Sequence, residues 1–250
     1  MSYKDYFFVK KNDCLNTDYL IMIKDIIVDH FEEIGVYFDN QIKIITCCPF
    51  EETPIFYSTS QNKELQHDLI IINCSDCSYW CQVIYQLSHE LTHCFINCTI
   101  GDNKYHINWL EETICEAISL YFLNYFYNNW SMLPLYSKNT GYAPSIYDYL
   151  NNILCNQGKN KLSLCPSMNE LEKLDKTSQV LREDRLTETI KLYNNITADN
   201  IAALINYRSF AIDNLLLDTV NYRRTYKDNS AVQYICDLQD SILGKDRKVN

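Results

Sequence analysis

The spacing of hydrophobic and polar positions changes several times along this chain, and the changes mark out its elements. Over residues 17–37 apolar side chains recur three and four apart. Leu20, Ile23, Ile27, Phe31 and Ile34 share one face and Asp18 is an early acid, which predicts an amphipathic helix. Residues 41–47 are a short run rich in β-branched side chains (Ile42, Ile44, Ile45, Thr46) and predict a strand. Residues 53–59 are a second candidate strand, and 68–73, Asp-Leu-Ile-Ile-Ile-Asn, reads as a buried one. Ser75, Asp76 and Ser78 then offer side chains that cap a helix. In that helix Trp80, Val83, Ile84, Leu87, Leu91, Cys94, Phe95 and Cys98 fall in a stripe roughly 120° wide, taking about 100° per residue. A second long apolar run opens at Asn108 and ends near Tyr127, but its side chains spread round the whole wheel, which predicts a helix buried on most sides. Pro134 and residues 137–141 break the pattern. Beyond them, residues 145–154, 167–181, 198–205, 210–220 and 231–243 are candidate helices.

The chemistry of the chain lies on the face of the first long helix that the apolar stripe leaves out. His89-Glu90-Leu91-Thr92-His93 reads H-E-x-x-H, and it takes two of the five histidines in the 250 residues. Residues four apart lie one above the other on a helix, so His89 and His93 can direct two imidazoles at one metal ion. Both fall about 180–220° from the centre of the apolar stripe, so they face solvent, a cleft or another element. Glu90 is rotated off that axis, where it could serve as general base toward a water activated by the ion.

A catalytic zinc ion usually has three protein ligands. His106 follows His93, but the continuation H-x-x-G-x-x-H is absent: Ile96 stands where its glycine would be and Thr99 where its third histidine would be. Glu111, Glu112 and Glu116 open the second long helix. Carboxylates in a buried helix are costly unless paired or metal-bound. Acids in a first helical turn also have an ordinary source in the helix dipole. Glu112 and Glu116 are four apart and share a face, so one could bind an ion while the other orients a ligand histidine.

H-E-x-x-H followed by a glutamate on a second helix resembles the gluzincins, the superfamily of thermolysin and the zinc aminopeptidases. Eighteen residues separate His93 from Glu112, the aminopeptidase spacing and one short of thermolysin's. Trp109-Leu110-Glu111-Glu112 is similar to the W-L-N-E that carries the aminopeptidase ligand. The resemblance implies Glu112 as third ligand, with Glu111 the runner-up, and Glu116 as the second acid behind the ligands. It covers about a fifth of the chain, residues 79–127. No G-x-M-E-N exopeptidase motif is present, so aminopeptidase activity is not implied. The fold it implies is α+β and zincin-like: a catalytic core over 1–131, with a small N-terminal sheet and the metal-binding helices, then a helical lobe over 132–250 that completes the cleft. In that fold a strand at the sheet edge borders the cleft and can pair with an extended peptide.

Composition narrows the partners. A net charge of −10 with no basic stripe argues against nucleic acid, and 47% hydrophobic residues point to a globular chain. No apolar run approaches a membrane span, and Met1–Lys10 lacks a secretory h-region, so a cytoplasmic chain without membrane association is expected. The twelve cysteines are then read as free thiols. The tightest group, Cys74, Cys77 and Cys81, lacks an evident fourth ligand for a zinc site of its own.

The function expected is therefore hydrolysis of a peptide or protein substrate with one Zn²⁺ held by His89, His93 and Glu112, and Glu90 as general base. An oxyanion donor would come from Tyr142, Tyr149, Tyr207, Tyr222 or His106. Arg208 reads as a surface ion pair or as a site for a substrate carboxylate. The alternatives are a binding or regulatory protein on the same scaffold, hydrolysis of another bond, and an accidental motif in a non-catalytic helical protein. An intact Glu90 argues against the first, because holding zinc alone does not require it.

Overall fold

The computed structural model describes residues 7–10, 15–36, 43–47, 54–59, 63, 67–74, 76–99, 105–156, 162–177 and 182–249. Tyr37, Gln41, Ile42, Thr53, Ser75 and residues 178–181, which the sequence assigns to elements or caps, lie outside them. The chain is an α+β protein that divides into two compact units, one of residues 1–98 and 119–153, the other of 99–118 and 154–250.

The first unit holds the sheet. Strands β1 (Phe7–Lys10), β2 (Lys43–Cys47), β3 (Ile55–Tyr57) and β4 (Asp68–Ile72) run in the order β1-β2-β4-β3. β1 pairs parallel with β2 and β2 parallel with β4, while β3 lies antiparallel on the outer side of β4. The apolar run 68–73 is thus an inner strand; among the described strands the edges are β1 and β3. Asp68, at the start of β4, accepts from the Thr59 amide and hydroxyl, both at 2.7 Å, which ties off the end of β3. Helix α1 (Thr17–Glu33) buries Leu20, Ile23, Ile27 and Phe31, the face its periodicity predicts, while Ile34 lies past its end and is half-exposed. It packs on α2 (Trp80–Cys98), which also lies along β3 and β4. Asp76 stabilises the turn into α2: its carboxylate accepts from the Asn16 side chain at 2.8 Å and from the Ser78 amide at 2.9 Å, and these bonds, Asn16's foremost, hold it below the usual carboxylate range.

Helix α3 (Asn108–Asn129) contributes its first half to one unit and its second half to the other. Every residue from Trp109 to Leu120 is buried, acids included, as its all-round apolar pattern predicts. In the first unit its second half meets α1 through aromatic rings: Phe122 lies 5.1 Å from Phe31, and Tyr125 lies 4.3 Å from His30. Two 3₁₀ turns, Trp130–Met132 and Pro134–Ser137, make the predicted break before α4 (Ala143–Leu154).

The second unit is helical. Helices α5 (Met168–Thr177), α6 (Leu186–Tyr193), α7 (Ala198–Ile205) and α8 (Thr219–Thr225) all pack on α9 (Ser230–Val249). α7 falls where its periodicity predicts. The helix expected over 210–220 is not there. Asp213 accepts from the Leu215 and Leu216 amides at 2.7 Å, and this Asx turn sends the chain back so that Ala211 and Leu217 bridge antiparallel. The Gln239 side chain then occupies the backbone groups of Leu217, accepting from its amide and donating to its carbonyl. α6 is not among the helices the sequence predicts: its buried face mixes Glu188 and Thr189 with Leu186 and Leu192 and so is not an apolar stripe.

Candidate metal centre

Two half-buried histidines stand on α2. His89 Nε2 and His93 Nε2 are 3.2 Å apart, with ring centroids at 4.9 Å and planes at 66°. That separation is a ring-to-ring hydrogen bond, and two nitrogens bound to one tetrahedral zinc ion would be about 3.3 Å apart. Their helix is held from the opposite side: Trp80, Val83, Ile84, Leu87, Leu91, Cys94 and Phe95 are buried. Burial extends further round α2 than the apolar stripe, to Ser88, Glu90 and Thr92. Thr92 donates its hydroxyl to the Ser88 carbonyl and Ser88 donates to that of Ile84, both at 2.7 Å, so two small polar side chains are accommodated without a partner from another element.

His89, His93 and Glu112 each offer one ligand atom, and these atoms lie within 4.8 Å of one another. Of the adjacent acids, Glu112 is the one drawn into this cluster. Glu111, 1% exposed, is engaged elsewhere. Its Oε2 accepts from the Tyr207 hydroxyl at 2.5 Å and from Arg208 Nε and Nη2 at 3.0 and 2.7 Å, and it lies 3.2 Å from His106 Nε2. Consecutive helical residues point about 100° apart, so neighbouring carboxylates are divided between two surroundings. Burial pushes the Tyr207 hydroxyl well above its ordinary range, and the Glu111 charge beside it pushes it further. For Arg208 burial would lower the pKa, but the facing Glu111 charge more than offsets this and holds the guanidinium above its ordinary value.

The other two acids of α3 also have arginines. Glu112 pairs with Arg185 Nη2 at 3.4 Å, and Glu116 pairs with Arg182. Arg182 opens a 3₁₀ turn (Arg182–Asp184) and Arg185 follows it, so the two side chains are three residues apart. Three 3₁₀ residues rise about 6 Å and four α-helical residues rise about 6 Å. The arginine pair therefore matches the glutamate pair. Asp175 of α5 fixes the start of α3 by accepting from the Trp109 amide at 2.9 Å and from Asn108 Nδ2 at 3.1 Å.

Arg208 is thus neither a surface ion pair nor open to a substrate carboxylate. Arg182 and Arg185 were missed from the sequence, and no local signal ties them to acids about seventy residues earlier. Among the five oxyanion candidates, Tyr207 and Tyr222 are fully buried, with their hydroxyls on Glu111 and on the Ala203 carbonyl. Tyr142 packs against Trp80 and Trp130, and Tyr149 lies against Tyr85. The His106 side chain keeps 33% exposure. The Cys74, Cys77 and Cys81 thiols are buried, and among the described residues His89, His93 and Glu112 are the group able to hold a metal.

No protein-family model matches the chain, nor does any curated protein or solved structure. Among the described residues no helix is long and apolar enough to cross a membrane.

Proposed function

We propose that this chain is a zinc-dependent metallopeptidase of zincin-like fold. The observation that carries the proposal is the convergence of His89, His93 and Glu112, two neutral nitrogen donors and one carboxylate, on one small volume. This donor set and spacing suit Zn²⁺, which takes three protein ligands in catalytic sites. A bound zinc ion would supply Lewis acidity, polarising a carbonyl and lowering the pKa of a water.

The chain's own residues do the rest. Glu90, adjacent to His89 and buried, accepts a proton from the attacking water as its oxygen bonds to the carbonyl carbon. The same carboxyl then delivers that proton to the amide nitrogen as the carbon–nitrogen bond breaks. Strand β3 favours an extended peptide as substrate: among the described strands it is an antiparallel edge of the sheet, and it packs beside the helix that bears Glu90.

The test is zinc content of the purified protein by elemental analysis, beside His93→Ala. About one zinc per chain, lost in the variant, is expected. Cleavage of a peptide library by the wild type and not by Glu90→Gln completes it. Absence of zinc from protein prepared without chelators would overturn the proposal.

A further inference from the structure

Glu112 is asked to do two things that compete. It is the carboxylate of the candidate metal centre, and it is paired with the guanidinium of Arg185. Arg185 is itself buried, at 4% exposure, against 8% for Glu112. A charged carboxylate in such a place requires a positive partner whether or not a metal ion is bound. The arginine is held in register by its 3₁₀ turn, with the Arg182–Glu116 pair as a second point of attachment one turn further along α3.

We propose that Arg185 is the resident counter-cation of the metal centre: it holds Glu112 in place when no metal is bound, and it sets metal affinity by competing for that carboxylate. The proposal rests on Glu112 being the third ligand. A metal ion arriving at Glu112 meets an oxygen already shared with a positive charge. A singly and a doubly charged cation about 6 Å apart repel by the equivalent of about tenfold in affinity, even at the dielectric constant of bulk water. Arg185 thus makes the centre weaker for metal and the metal-free protein better ordered, two effects of opposite sign from one side chain. Less electron density is also drawn from a carboxylate that a guanidinium already polarises, which leaves a bound ion a stronger Lewis acid.

The opposite signs give the test. Zn²⁺ affinity is measured by competition with a chromophoric chelator, and thermal unfolding is measured without metal, on the whole chain and on Arg185→Met, Arg185→Lys and His93→Ala. Arg185→Met is expected to melt earlier without metal and to bind zinc about tenfold or more tightly. Arg185→Lys, which keeps the charge, is expected to stay near wild type in both. If Arg185→Met does not fold without metal, zinc titration should refold it, because the ion replaces the missing charge. Zinc affinity that falls or is unchanged in Arg185→Met, or failure of zinc to refold it, overturns the proposal. The metal-centre reading fails separately, if His93→Ala binds zinc as wild type does; loss in His93→Ala without a gain in Arg185→Met removes only the role of Arg185.

Discussion

Helices α2 and α3 both carry candidate ligands, yet they hold their polar residues in different ways. α2 has an apolar stripe that anchors it and a remaining face on which two histidines stand half-buried. Its buried Ser88 and Thr92 hydroxyls are satisfied by carbonyls of the same helix. α3 has no such division. Three of its carboxylates are buried, and each meets an arginine that arrives from far along the chain: Glu111 with Arg208, Glu112 with Arg185, Glu116 with Arg182. The Ser88 and Thr92 hydroxyls of α2 are supported locally; the buried carboxylates of α3 are supported by arginines from elsewhere in the chain. Changes on α2 should therefore affect chemistry more than folding, and changes on α3 should affect both.

The largest effect expected is on α2. Glu90→Gln should lower peptide hydrolysis by about a hundred- to ten-thousand-fold while zinc content stays near one per chain, since the amide keeps the shape of the side chain but cannot take a proton. Full activity in that variant would break the proposed mechanism. The matching experiment on α3 is Glu111→Ala, which leaves the buried Arg208 without its main counter-charge. It should cost about 3–5 kcal/mol in the unfolding free energy of the metal-free protein. Glu112→Ala should weaken zinc binding far more than Glu111→Ala does; the reverse ranking would move the third ligand by one residue.

Two smaller effects separate the ends of α3. Asp175 accepts from the Trp109 amide and the Asn108 side chain at the start of the helix, so Asp175→Ala should lower stability by about 1 kcal/mol, read from denaturant midpoints, with little change in zinc affinity. At the other end His30 accepts from or donates to Tyr121 at 2.8 Å and lies against Tyr125. Burial holds the His30 imidazole below its ordinary value of 6.5, with Glu33 opposing the shift. A depressed folded-state value means that the unfolded chain takes up the proton first as pH falls. The stabilisation is therefore complete above the unfolded value of 6.5 and lost progressively below it. The unfolding temperature should decline from about pH 7 to about pH 5.5, and His30→Phe should flatten that decline. An equally steep decline in His30→Phe would assign the pH dependence to other groups.

The sequence by itself determined the parts whose physics is local. The period of apolar residues located α1, α2, α7 and the buried character of α3, because a helix face repeats every few residues whatever the rest of the chain does. The same argument set His89 and His93 on one side of α2, and their short spacing made them legible as a pair. It failed over 210–220, where the Asp213 side chain outcompetes helical hydrogen bonding, and at α6, whose buried face includes Glu188 and Thr189. The choice between Glu111 and Glu112 was beyond it on residue pattern alone, because both are acids in one helical turn; spacing favoured Glu112 only by resemblance. Tertiary structure decided the division, by bringing Tyr207 and Arg208 to one carboxylate and Arg185 to the next. Buried charges find their partners in space, and sequence distance carries no trace of where those partners come from.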